Sequence, residues 1–269
     1  MKRTLFGFVW IAVLTCLGFS QSVVVPVVAL SGGGLLGGVQ NGKWIAPAKV
    51  APAMKPKMEF ILAGWNGVEE GGVSLAEFNG NPDVCNDYWS FSFELEMKEG
   101  VGLGTNAKWN PAPRRATAIP TTNSTYKTIV SNFLKTKGFR NPVVTIKQIY
   151  KVDLDGDGVD EVLISASRYR RGMTEAPSVG DYSFTLLRSV KGKLAQNHLL
   201  EGEFFPLRVP KDIWPPNVYE FNGVADLNGD GKMEIAVSSR YYEGGTDGAF
   251  EMKNGKPFEI KEFSIECGV

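Results

Sequence analysis

Apolar residues in the first hundred or so positions come in short runs broken by glycine and proline, as in "VVVPVVAL" (23–30) and "FSFELEM" (91–97). Runs of this length between turn residues predict strands and loops. "VQNGKW" sets Asn41-Gly42 between apolar flanks, and "MKNGKPFEI" repeats the device at Asn254-Gly255. Both turn positions of a two-residue hairpin need positive φ, which Asn and Gly tolerate, so two tight hairpins are expected there. "SVKGKLA" uses Gly192 in the same way.

One stretch has a helical period instead. In "NSTYKTIVSNFLKTKG" the residues Tyr126, Ile129, Val130, Phe133 and Leu134 share one face, Asn or Ser can cap the start, and Gly138 can end it. Asn123-Ser124-Thr125 also matches a glycosylation acceptor, but capping is the preferred reading.

Beyond this helix the pattern becomes regular and then repeats. "PVVTIKQIYKV", an acidic loop, "VLISASRY", "YSFTLLRSV" and "LAQNHLLEGEF" predict four strands. "PNVYEFNGVA", a second acidic loop, "EIAVSSRYY", "AFEMKN" and "PFEIKEFSIE" give the same order again. Both copies resume at Ser-Arg-Tyr (167–169 and 239–241), with one extra residue in the first copy that a β-bulge would absorb. Two four-stranded units of this kind look like propeller blades.

The loops are the most distinctive feature. "KVDLDGDGVDEVLIS" places Asp153, Asp155, Asp157 and Glu161 at positions 1, 3, 5 and 9, with Gly158 at position 6. "VADLNGDGKMEIAVS" places Asp226, Asn228, Asp230 and Glu234 there, with Gly231. Carboxylates about 4 to 5 Å apart repel by about 3 to 4 kcal/mol per pair at an effective dielectric near 20, and a divalent cation reverses the sign. Hard oxygen donors on a flexible loop without His or Cys suit Ca²⁺ better than zinc or magnesium. The first loop carries four negative ligands against three, so it is expected to bind calcium more tightly. Neither is an EF-hand, because Ile164 and Val237 stand at position twelve and strands follow.

This one-three-five-nine spacing between strands resembles the FG-GAP and VCBS-type repeats of integrin-like β-propellers. The resemblance covers mainly residues 141–269 and implies that the carbonyls of Val159 and Lys232, at position seven, complete the two ligand sets. Glu at position nine in both loops, and only two copies, depart from that pattern.

Composition changes the picture in three places. The chain has 269 residues with 29 basic and 29 acidic side chains, and this balance offers no basic face for nucleic acid. Lys2 and Arg3 precede an apolar stretch from Leu5 to Phe19 with small residues before Gln21, which reads as a secretory signal peptide over 1–20. The stretch falls short of the roughly 20 residues that span a bilayer, and no later segment reaches that length, so no transmembrane segment is expected in the mature chain. Lipidation at Cys16 is a minor alternative, since Thr15 is a poor residue before a lipidated cysteine. Removing the signal leaves Cys85 and Cys267, an even pair in an oxidising compartment, and a disulfide is expected.

Other motifs carry less. "GGGLLG" (32–37) fits a dinucleotide fingerprint, but a hairpin turn follows where a helix would be needed, and no acidic residue stands about 20 positions on. His198 lies in an alternating strand without a nucleophile elbow and reads as structural. Arg168, Tyr169, Arg240 and Tyr241 recur at equivalent strand ends and read as packing residues. A DxD sugar-nucleotide transferase site is disfavoured by duplication and secretion.

The sequence thus predicts a mostly β protein of the secreted space or cell envelope. A β-rich part over 21–118 precedes an FG-GAP/VCBS-like region over 119–269, with propeller-like four-stranded blades, two calcium loops and one helix. The expected role is a non-enzymatic binding or scaffold module for a protein or glycan ligand, with calcium structural. A secreted hydrolase with an unidentified active site is the alternative.

Overall fold

The computed structural model describes residues 23–30, 34–55, 57–79, 85, 89–93, 100–192, 194–210 and 216–268. The predicted signal segment lies outside them. The first sheet is built from β1 (Val24–Ala29), β2 (Gly34–Gln40), β3 (Lys43–Ile45), β4 (Met58–Gly64), β5 (Gly67–Asn79), β6 (Ser90–Phe93) and β7 (Val101–Thr105), with a short helix α1 (Pro47–Val50). Its strand order is β1-β7-β4-β5-β6-β2-β3, and β1 also pairs with β2. "GGGLLG" therefore enters a strand at Gly34 and runs into the Asn41-Gly42 turn, where both residues have positive φ.

The strand β8 (Thr117–Ala118) and the helix α2 (Ser124–Thr136) follow. Asn123 caps α2: its side chain accepts from the amides of Thr125 (3.0 Å) and Tyr126 (3.4 Å). Gly138, at φ +95°, ends it in the left-handed region.

β9 (Ile146–Val152), β10 (Glu161–Arg168), β11 (Tyr182–Lys191) and β12 (Leu194–Phe204) form the second sheet as an antiparallel meander, with β8 beyond β9. The third sheet repeats this arrangement with β13 (Val218–Ala225), β14 (Glu234–Tyr241), β15 (Gly244–Lys253), β16 (Lys256–Glu259) and β17 (Ile265–Gly268). β16 and β17 pair with the two ends of β15, so the expected fourth strand is interrupted. The interruption buries Ile260 and Phe263 in the core, and Phe263 closes the turn by donating its amide to the Ile260 carbonyl at 2.8 Å.

The predicted bulge is placed differently. β10 runs in continuous register along β11, whereas extra residues appear in β9 at Lys147 and in β13 at Asn222. Both bulges thus lie in the strands that lead into the acidic loops, six residues before Asp153 and four before Asp226.

The sheets stack through shared cores. Val27, Ala29, Leu36, Ala63 and Leu103 of the first sheet meet Ala225, Ala236, Ala249 and Ile265 of the third. Leu163 and Leu187 of the second sheet meet Phe221, Ile235, Val237 and Phe250 on the other face of the third. Val130, Phe133 and Leu134 of α2 cover the outer face of the second sheet over Ile164, Phe184 and Leu186. β10 and β14 are consequently buried on both faces, the physical reason that Val162–Ile164 and Ile235–Val237 run as consecutive apolar residues rather than alternating with polar ones. The first and third sheets approach so closely that a Cβ on Gly102 would lie 1.7 Å from the Asn222 carbonyl oxygen. The expected division at 118/119 therefore runs through a molecule in which the N-terminal sheet shares a core with the last one. Cys85 and Cys267, 182 residues apart, join the same two sheets as a disulfide pair with a Cα separation of 5.2 Å.

Candidate metal centre

Each acidic loop joins the first and second strands of its meander, and the same local chemistry folds both. The Asp153 carboxylate accepts from the amides of Gly156 (2.7 Å), Asp157 (3.1 Å) and Gly158 (3.1 Å). Asp226 accepts from Gly229 (2.7 Å) and Gly231 (3.0 Å). Wrapping amides round a first carboxylate requires left-handed turns at positions four and six, and glycine stands at both, with φ between +79° and +86° in all four cases. Position five caps position seven: Asp157 accepts from the Val159 amide and Asp230 from the Lys232 amide, each at 2.8 Å. Position nine reaches back to position two, so that Leu154 donates to Glu161 Oε2 at 3.0 Å and Leu227 to Glu234 Oε2 at 2.8 Å.

The loops differ at position three. Asn228 accepts from the Asp230 amide at 2.9 Å, whereas Asp155 Oδ1 is buried with no hydrogen-bond partner. One oxygen each from Asp153, Asp155 and Glu161 lies within 4.8 Å of the others. A carboxylate oxygen removed from water without a donor is costly, and a cation among three such groups removes that cost. The donor set is all oxygen and fits calcium.

Burial acts on the ninth-position acids. Glu161 is 4% exposed and Glu234 1%. Burial pushes the Glu161 carboxyl up to about 7; the Leu154 amide opposes this and Asp155, Asp157 and Asp153 add to it. Burial likewise pushes Glu234 up to about 9, opposed by the Leu227 amide and reinforced by Asp230 and Asp226. Asp226 is also raised, chiefly by burial. The Glu161 and Glu234 carboxyls therefore keep their protons up to about 7 and about 9.

A segment that sequence reasoning passed over holds the two loops together. Residues 107–116 run past both. The Trp109 indole donates to the Asp226 carbonyl at 2.8 Å, and the Asp226 amide donates to the Pro111 carbonyl at 2.7 Å. Arg114 donates to the carbonyls of Asp153, Leu154 (3.0 Å) and Gly231 (2.8 Å). The only sequence signal was a Trp and two Arg in a proline-containing stretch, "WNPAPRRA", with no period to give it meaning.

The first loop also opens onto a groove of about 440 Å³, where Asp155, Asp157 and Glu161 stand with Lys191, Leu194 and Lys256 from two hairpin tips. Other singled-out residues sit elsewhere. Arg168 and Arg240 each pair with a buried aspartate, Asp181 at 3.6 Å and Asp247 at 2.8 Å. Tyr169 donates to Glu203 and also meets the Asn217 carbonyl at 2.6 Å. Tyr241 packs its hydroxyl against Gly268. His198 Nε2 lies 3.1 Å from Ser189 Oγ on the neighbouring strand.

No family model, characterised protein or solved structure matches this chain.

Proposed function

We propose that the chain is a calcium-stabilised binding or scaffold module, related in its loops to FG-GAP and VCBS-type repeats and working in the secreted space or cell envelope. The observation that carries this reading is the buried, unpartnered Asp155 Oδ1 converging with Asp153 and Glu161. Asp153, Asp155, Asp157, Glu161 and the Val159 carbonyl would hold the ion in the first loop; Asp226, Asn228, Asp230, Glu234 and the Lys232 carbonyl would hold it in the second. Bound calcium supplies charge neutralisation. The chain's own residues supply the cradle, because the glycine turns and reciprocal amide bonds already set both loops in matching shapes. A disulfide pair suits an oxidising compartment. The stacked four-stranded meanders leave loops and hairpin tips as the surfaces on which a protein or glycan partner would be met.

Calorimetric titration of chelator-stripped protein with calcium tests the metal reading. Two binding events and a melting temperature that rises with calcium are expected; at a hundredfold excess over Kd each site adds about 2.7 kcal/mol. Melting curves that are the same in calcium and in chelator would defeat it.

A second reading, a secreted hydrolase, rests on the Ser189–His198 contact, since Ser189 also lines the groove beside the first loop. Its test is turnover on a panel of esters, glycosides, phosphates and peptides. Activity lost in Ser189→Ala with the fold retained would establish it.

A further inference from the structure

The two loops are 73 positions apart in sequence, yet their backbones are joined at adjacent points. Leu154, at position two of the first loop, is used three times: its amide donates to Glu161, and its carbonyl accepts from Arg114 and from the Met233 amide at 2.8 Å. Met233 immediately precedes Glu234, the ninth-position acid of the second loop. The same Nη2 of Arg114 that reaches Leu154 also donates to the Gly231 carbonyl, and the Gly231 amide in turn donates to Asp226. Candidate ligands of the two loops are therefore linked through Leu154, Arg114 and Gly231 by hydrogen bonds alone.

We propose that Arg114 couples the two acidic loops into one calcium-binding unit, so that filling either loop raises the affinity of the other; this rests on the calcium reading above. A guanidinium is a rigid planar fork, and one that serves three carbonyls on two loops fixes their relative position. Without the cation, repulsion among carboxylates favours opening of a loop. Opening either loop strips hydrogen bonds from the other, so a loop closed round its ion lowers the ordering cost still to be met by its neighbour. Repulsion between two bound cations acts against this coupling. The candidate ligands, however, set seven carboxylates against five positive charges when both ions and Arg114 are counted, and Asp160 and Lys232 of the loops add one charge of each sign, so neither ion enters a positively charged neighbourhood.

Arg114 acts here as a positioning residue through backbone carbonyls. Glycine at position four leaves it room, because a Cβ on Gly156 would already stand 3.4 Å from Arg114 Nη1.

The test is a cycle of variants in the full chain, read by calorimetric calcium titration. Asp230→Asn, which weakens the second loop, is expected to lower the affinity of the first by roughly five- to tenfold, the lower range of measured coupling between sites. In an Arg114→Ala background the same substitution should affect the first loop much less, because only the Met233–Leu154 bond then joins the two loops. Arg114→Lys keeps the charge without the fork, and it should lose most of the coupling while retaining both binding events; it also serves if Arg114→Ala does not fold. First-loop affinity indifferent to Asp230→Asn in the otherwise native chain overturns the coupling, as does coupling that persists undiminished without Arg114. Two independent sites would defeat this inference and leave the calcium reading standing. No calcium binding at all would defeat both.

Discussion

The Met233 amide donates to the Leu154 carbonyl at 2.8 Å, joining the two acidic loops backbone to backbone. Both residues are buried with the apolar side chains between the second and third sheets. The core thus extends directly beneath the carboxylates, and this explains why the ninth-position acids are so fully removed from water.

That burial gives a pH dependence with a definite sign. In chelator, Glu161 and Glu234 hold protons in the folded protein up to about 7 and about 9, whereas in the unfolded chain they release them near the ordinary carboxylate value. The folded state then binds more protons, and stability is lost as pH rises from about 4.5 through those values, by at most about 1.4 kcal/mol per pH unit for each group. Urea melts across this range should show the decline in chelator and a much flatter profile in saturating calcium. Glu234→Gln should flatten the chelator profile, and a profile unaffected by that substitution would refute the assignment.

The Cys85–Cys267 pair ties the first sheet to the final strand. Thiol labelling of denatured, unreduced protein spanning residues 21–269 should find no free thiol, and two reactive thiols would contradict the pairing. Cys267→Ser should cost about 2 to 5 kcal/mol in chemical denaturation.

Gly102 tests whether the N-terminal sheet and the third sheet unfold together. Any side chain there would meet the Asn222 carbonyl oxygen at 1.7 Å, and both partners are backbone that cannot rotate aside. Gly102→Ala is expected to destabilise by about 1 to 3 kcal/mol or more, lowering a single melting transition. A variant with the native melting temperature would show that the two sheets part readily.

Asn123 offers a local control. Its carboxamide caps α2, which covers the outer face of the second sheet. Asn123→Ala should cost about 1 kcal/mol and leave calcium titration unchanged. A shift in calcium affinity would show that the helix and the loops are not energetically separate.

Much of the local structure was legible in the residues themselves. Asn41-Gly42 and Asn254-Gly255 turn where positive φ is demanded, Asn123 and Gly138 bound the helix, and the glycines at positions four and six let amides wrap Asp153 and Asp226. Each depends on groups within a few positions of one another, so spacing alone reveals it. Two cysteines beyond the predicted signal segment made their pairing a matter of arithmetic, although not its geometry. The tertiary structure decided what depends on where the chain returns. Arg114 meets Gly231, and Trp109 meets Asp226, each 117 positions later in the chain, and no periodicity marks such contacts. It also decided that the first loop opens onto a groove while the second lies under Trp109, and that the last strand breaks so that Phe263 can enter the core between the first and third sheets. Local propensity sets the shape of a turn, but only the packing of one sheet on another determines which backbone atoms come within reach of a guanidinium.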